Sequence, residues 1–207
     1  MRTLRPANTS ESDAEVVGRL MLDAFPETFT RVFGERDRQA ARAVGHGLRA
    51  FGSMPNAWLA EREGVSEGLV LVRWDNGSTP ITGLKAFLAM ARVLGPWRAL
   101  LVAFHIPPLP PHWLHSREAY ISALAISPPA RRRGHGSALL DHVIELARSR
   151  GYHQVTLRVE ADNEAAQALF RRHGFVADPR RFQWVFNLVR RHFGEIIMTR
   201  WLDTQTD

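Results

Sequence analysis

Residues 131–137 read Arg-Arg-Arg-Gly-His-Gly-Ser and lie between a stretch patterned as a strand and one patterned as a helix. A strand, a glycine-containing loop and a helix start together make an anion site. The first turn of a helix offers unpaired N–H groups and the positive end of its dipole. Gly134 and Gly136 would admit phosphate oxygens to the backbone where a side chain would block them. Arg131, Arg132 and Arg133 would add charge-assisted hydrogen bonds. Position 139 is Leu, so the Gly-x-Gly-x-x-Gly dinucleotide fingerprint fails, and no Gly-Lys-Ser/Thr follows to make a Walker loop. Taken alone, the segment reads equally well as a flexible helix start.

Other chemistries are narrowed by composition. The chain has no cysteine, which removes disulfides, thiolate metal sites and a covalent cysteine mechanism. Nine histidines are present, yet none pairs convincingly with carboxylates. His112-x-x-His115 falls in a proline-rich loop and is read as incidental, so no metal site is expected.

The elements that must position the loop follow from periodicity. Residues 2–6 read as a first strand, 12–24 as an amphipathic helix interrupted at Pro26, and 37–51 as a second helix weakened by Gly45 and Gly47. Residues 57–61 and 69–72 read as strands joined by a polar turn. Residues 84–94 and 97–105 fit two short helices split at Gly95-Pro96, a helical insertion over about 80–117. A strand over 120–126 stops at Ser127-Pro128-Pro129, because proline cannot continue the ladder. A helix over 136–150 follows, with Leu139, Leu140, Val143, Ile144 and Ala147 on one face and Gly151 as its cap. A strand over 155–159, a helix over 164–173 and a closing strand over 195–201 complete the pattern.

At 207 residues the chain suits one α/β domain better than two small ones. With 45% hydrophobic and 23% charged residues it is of ordinary globular composition. The formal charge of +6 attracts anions, but no nucleic-acid recognition motif accompanies it, and none is expected as a partner. The N-terminus lacks the apolar run of a signal peptide, and the most apolar stretch, residues 99–104, is too short to span a membrane. A cytoplasmic protein is the expectation.

Three blocks together go further. Arg131-x-x-Gly134-x-Gly136 resembles the Arg/Gln-x-x-Gly-x-Gly/Ala signature of the GNAT N-acetyltransferase superfamily. Leu124-Ala125-Ile126-x-Pro128 is similar to the strand that precedes it in that family, and Asn163-x-x-Ala166-x-x-Leu169-Phe170-x-x-x-Gly174-Phe175 to the block that follows. The resemblance is close over residues 120–175 and implies one N-acetyltransferase domain over 1–207. It implies a mixed α/β (α+β) fold: a central, mostly antiparallel twisted sheet flanked by helices. It also implies acetyl-CoA as cosubstrate and an unidentified amine acceptor, and leaves a homodimer open.

The resemblance also implies site roles. Backbone groups of Leu124, Ala125 and Ile126 would face the pantetheine arm, with the Leu124 N–H serving the oxyanion. Arg131, Arg132, Arg133, Gly134, His135, Gly136 and Ser137 would cradle the pyrophosphate, His135 standing in for an apolar residue there. Asn163 would hydrogen-bond the cofactor or, equally, cap the following helix. Amide formation needs a neutral amine, whose ordinary pKa of about 10 calls for a base or desolvation. Arg158 stands where some relatives place a Glu; Glu160, two residues on and on the same face, is the leading candidate base, ahead of Tyr120, Glu118 and Glu27. Phe170 stands where many relatives carry a Tyr near the leaving thiolate. In a direct ternary-complex transfer, either water or another group protonates the thiolate or it leaves unassisted; otherwise the chain is a non-catalytic acyl-CoA-binding or sensing module.

Overall fold

The computed structural model describes residues 2–26, 38–50, 52–74, 80–97, 99–100, 117–178 and 195–202. Among them are seven strands, β1 (Arg2–Pro6), β2 (Ala57–Arg62), β3 (Val65–Arg73), β4 (Glu118–Ile126), β5 (Gln154–Glu160), β6 (Val176–Ala177) and β7 (Glu195–Trp201). The helices are α1 (Glu11–Ala24), α2 (Arg38–Ala50), α3 (Pro80–Leu94), α4 (His135–Ser149) and α5 (Glu164–Arg172). The strands form one sheet in the order β1-β2-β3-β4-β5-β7-β6, antiparallel throughout except where β4 lies parallel to β5. A 3-10 turn (Pro128–Ala130) and α4 make the crossover that a parallel pair requires. The mixed, mostly antiparallel α/β sheet expected from the sequence is therefore the observed fold.

Both faces of the sheet are covered. On one, Leu139, Leu140, Val143, Ile144 and Ala147 of α4 pack with Val70, Val72, Ile121, Val155, Leu157 and Phe170. On the other, Val17 and Leu20 of α1 meet Leu59, Leu69, Leu71, Ala123 and Ala125. Burying such aliphatic side chains, at roughly 25 cal/mol per Å² of apolar surface, is the main favourable term.

The start of α1 is fixed by Ser10, whose side chain accepts the Asp13 N–H at 3.2 Å. Asp13 is itself buried and takes two hydrogen bonds from the Arg5 guanidinium, at 2.7 and 2.8 Å, tying α1 to β1. Gly45, read with Gly47 as weakening α2, has a packing reason. A Cβ on Gly45 would sit 1.9 Å from the Ala14 carbonyl oxygen, and one on Gly18 1.9 Å from that of Ala41. The two glycines let α1 and α2 approach backbone to backbone.

β4 is not a regular strand. Leu71 pairs with Ala123 and Val72 with Ile121, which leaves Ser122 as a bulge, its hydroxyl donating to the Leu71 carbonyl at 3.2 Å. Ala119 and Ile121 accordingly face α4, whereas Ala123 and Ala125 face α1 and Leu124 and Ile126 lean toward α4. α3 covers residues 80–94, ending at the expected Leu94 but starting four residues before the expected 84. A helical turn resumes at Pro96, and the remainder of that insertion, with His112 and His115, lies outside the described residues, as does Glu27.

Candidate active site

The site begins where two parallel strands part. β4 and β5 share four rungs, from Glu118↔Gln154 to Ile121↔Leu157, and no more. Beyond that point β4 stays with β3 as far as Gly68↔Ile126, and β5 stays with β7 as far as Glu160↔Glu195. The Ser122 bulge sits at the divergence and turns β4 away. The sheet thus opens into a cleft, with the backbone of Leu124, Ala125 and Ile126 along one wall.

The loop and first turn of α4 lie at the mouth of the cleft. Gly134 caps α4 with φ 81°, and Arg132 is also left-handed at φ 62°. Among the described residues, no acceptor meets the backbone N–H groups of residues 132–137, while the Ala138 N–H already bonds to Gly134. A run of orphan donors at a helix start is a polyanion cradle. Arg131, Arg132 and Arg133 are exposed around it, and the Arg131 Nε donates to the Ile126 carbonyl at 3.4 Å. A Cβ on Gly136 would lie 3.1 Å from Leu169 Cδ2, so this glycine also lets α5 approach α4.

His135 is buried, as an apolar residue there would be, but it is not idle. Its Nε2 lies 2.8 Å from Glu67 Oε2, with the imidazole 2% exposed. Glu67 belongs to β3 and was not legible from the sequence, because nothing local marks a contact between residues so far apart in the chain.

α5 lines the β5 side. Asn163 caps it, its Oδ1 accepting the Ala166 N–H at 3.1 Å, which leaves its amide donors for a ligand. Phe170 is buried against Phe175, edge to face with ring centroids 6.0 Å apart. On the face opposite α4, Tyr120 alternates with Ala119 and Ile121, and its hydroxyl accepts from Arg158 Nε at 3.1 Å. Burial pushes the Arg73 guanidinium down from its ordinary value, with its cross-strand neighbour Tyr120 opposing the shift. Glu118 is fully buried and accepts from Thr156 and Gln154, a strand-joining role and not that of a mobile base. Glu160 ends β5, exposed and in register with Glu195, on the face it shares with Arg158. Among the described residues no group of three His, Asp or Glu could hold a metal ion. A hollow of about 350 Å³ lined by Arg117, Arg150 and Tyr152 lies at the opposite end of α4 and takes no part in the cleft.

A parted β4–β5 pair with an amide cradle at its mouth accords with the family assignment: residues 19–175 match the acetyltransferase (GNAT) family, and the chain belongs to it. This family uses acetyl-CoA as its cosubstrate. Over 66 residues, 31% of this chain, it is 44% identical to the mycothiol acetyltransferase of Clavibacter sepedonicus, and the match spans only 22% of that protein. Over 58 residues it is 41% identical to the ribosomal protein bS18-alanine N-acetyltransferase of Escherichia coli K12, covering 28% of this chain and 39% of the relative. The fold is shared with an N-acetyltransferase from Staphylococcus aureus Mu50, at a TM-score of 0.69 and 18% identity over 95% of this chain and 99% of that one. It is shared also with the PaiA N-acetyltransferase of Thermoplasma acidophilum in complex with coenzyme A, at a TM-score of 0.57 and 11% identity over 98% and 99%. No helix among the described residues is long and apolar enough to cross a membrane.

Proposed function

We propose that residues 1–207 act as one N-acetyltransferase domain that passes the acetyl group of acetyl-CoA directly to an amine bound in the same complex. The observation that carries this reading is the cradle of orphan N–H groups over residues 132–137 at the mouth of a cleft walled by unpaired strand backbone. The pyrophosphate would lie on Gly134, His135, Gly136 and Ser137 with Arg131, Arg132 and Arg133 around it. The pantetheine arm would run along Leu124, Ala125 and Ile126. Asn163 would offer its remaining amide donors, and Phe170 would bound the thioester end.

In this reading the amine attacks the thioester carbonyl, and the Leu124 N–H meets the developing oxyanion. Glu160 accepts the amine proton, the Tyr120–Arg158 pair closing the base of the cleft on the acceptor side. A thiol of ordinary pKa, about 8.5, leaves without a strong acid, so Phe170 is compatible with turnover. The absence of cysteine from the chain accords with direct transfer and with a cytoplasmic location. A homodimer belongs to the same proposal, supported by Val176 and Trp201, which are exposed toward the β6–β7 edge.

The acceptor is an amine, and the names of the relatives suggest where to begin: a bS18-type alanine peptide and amines related to mycothiol, then lysine peptides and polyamines. The test is amine-dependent release of CoA, together with calorimetric binding of acetyl-CoA to the wild type and to Gly134→Asp. Binding lost in the variant with turnover in the wild type supports transfer. Binding without turnover on any amine would leave only an acyl-CoA-binding module.

A further inference from the structure

Glu67 touches the β4–α4 connection at three points, although it sits one strand away from the cleft. Its carbonyl accepts the Ser127 N–H at 2.9 Å, where the connection begins. Its Oε1 lies 3.8 Å from Arg133 Nη1, midway along. Its Oε2 lies 2.8 Å from the Nε2 of His135, the first residue of α4. The loop so held contains a non-glycine residue in left-handed backbone, Arg132 at φ 62°, a conformation that persists only where its surroundings impose it. By charge alone, a carboxylate beside a polyanion cradle should weaken the binding of a pyrophosphate. The side-chain contact with the buried His135 argues for the opposite sign.

We infer that Glu67, acting through His135, is a positioning residue that braces the cradle, so that this acidic side chain strengthens the binding of acetyl-CoA. The inference rests on the reading that residues 131–137 receive the pyrophosphate. His135 is the coupling element: fully enclosed, it transmits the position of β3 to the start of α4, whose first N–H groups form the cradle. Arg133 adds little, since its pairing is long and exposed.

The test measures acetyl-CoA binding by calorimetry, and steady-state kinetics, for the wild type, Glu67→Ala, Glu67→Gln and Gly134→Asp. S-acetylpantetheine, which lacks the pyrophosphate, serves as an alternative acetyl donor. Glu67→Ala should raise the acetyl-CoA Kd and KM about tenfold at nearly unchanged kcat, and leave kcat/KM for S-acetylpantetheine as it was. Glu67→Gln, a near isostere that keeps the fold and a hydrogen-bonding side chain, should fall between the two. If Gly134→Asp abolishes binding while Glu67→Ala and Glu67→Gln bind as tightly as the wild type or tighter, the brace is wrong and the cradle stands. If Gly134→Asp also binds normally, the cradle reading fails and the inference fails with it. An equal loss with both donors would mark Glu67 as a residue of general stability and overturn the proposal.

Discussion

The Arg158 Nε donates to the Tyr120 hydroxyl across 3.1 Å and joins β5 to β4 just where the two strands part. The contact lies on the face away from α4, the side from which an amine would reach the thioester. It places a guanidinium where some relatives of the family carry a carboxylate, and makes Glu160, further along β5, the base proposed for that face.

Glu160→Gln should therefore lower kcat by roughly 100-fold while leaving the acetyl-CoA Kd unchanged. Tyr120→Phe, which removes the acceptor of the Arg158 hydrogen bond, should cost less. Initial rates across pH check both; a larger loss for Tyr120→Phe would move the base to the phenol.

Phe170→Tyr should raise kcat by less than about tenfold, because a thiol with pKa near 8.5 departs without much help. The readout is clean: the chain has no cysteine, so a thiol reagent reports only released CoA. A much larger gain would show that protonation of the leaving group limits the natural enzyme.

Gly45→Leu should destabilise the fold by about 3 kcal/mol, read from urea unfolding. The new Cβ would meet the Ala14 carbonyl at 1.9 Å, and a backbone atom cannot swing aside as a side-chain tip can. Gly52, with open space around the same added atom but φ 81°, should cost less on substitution by Ala.

Stability should fall in two stages on acidification. Burial holds the His142 imidazole below its ordinary 6.5; its ring packs 4.0 Å from that of Trp58 and its Nε2 is buried without a partner. The unfolded chain therefore binds this proton first, and stability declines as pH drops below 6.5. The Arg5 hydrogen bonds hold the Asp13 carboxyl below its ordinary 3.8, against the opposing effect of burial. Its contribution is present above that value and lost as pH falls through the lower folded one. Thermal melts of His142→Phe should lose the first stage and those of Asp13→Asn the second.

Local pattern carried much of the fold. The α4 stripe of Leu139, Leu140, Val143, Ile144 and Ala147 is buried throughout, and the closing strand occupies residues 195–201 as its β-branched run implies. The glycine loop was legible because it is contiguous. What escaped depends on distant partners: the Ser122 bulge, invisible to a strict period of two; β7 seated between β5 and the two-residue β6; and Glu67 against His135. Gly45 was misjudged for the same reason. Its helix propensity is local, while its value is the approach of another helix.

The parting of β4 and β5 makes an interior strand into an edge halfway along its length. Edges in a sheet invite a new neighbour, and an arm bearing two amide groups can serve as one. The sheet would then be sealed by its own substrate during each turnover and reopened afterwards, so fold stability and occupancy become a single linked quantity. The parts of the ligand that do the sealing are common to acetyl-CoA and to free CoA. The spent carrier would hold the seam as firmly as the loaded one, and the ratio of the two would set the pace of the enzyme.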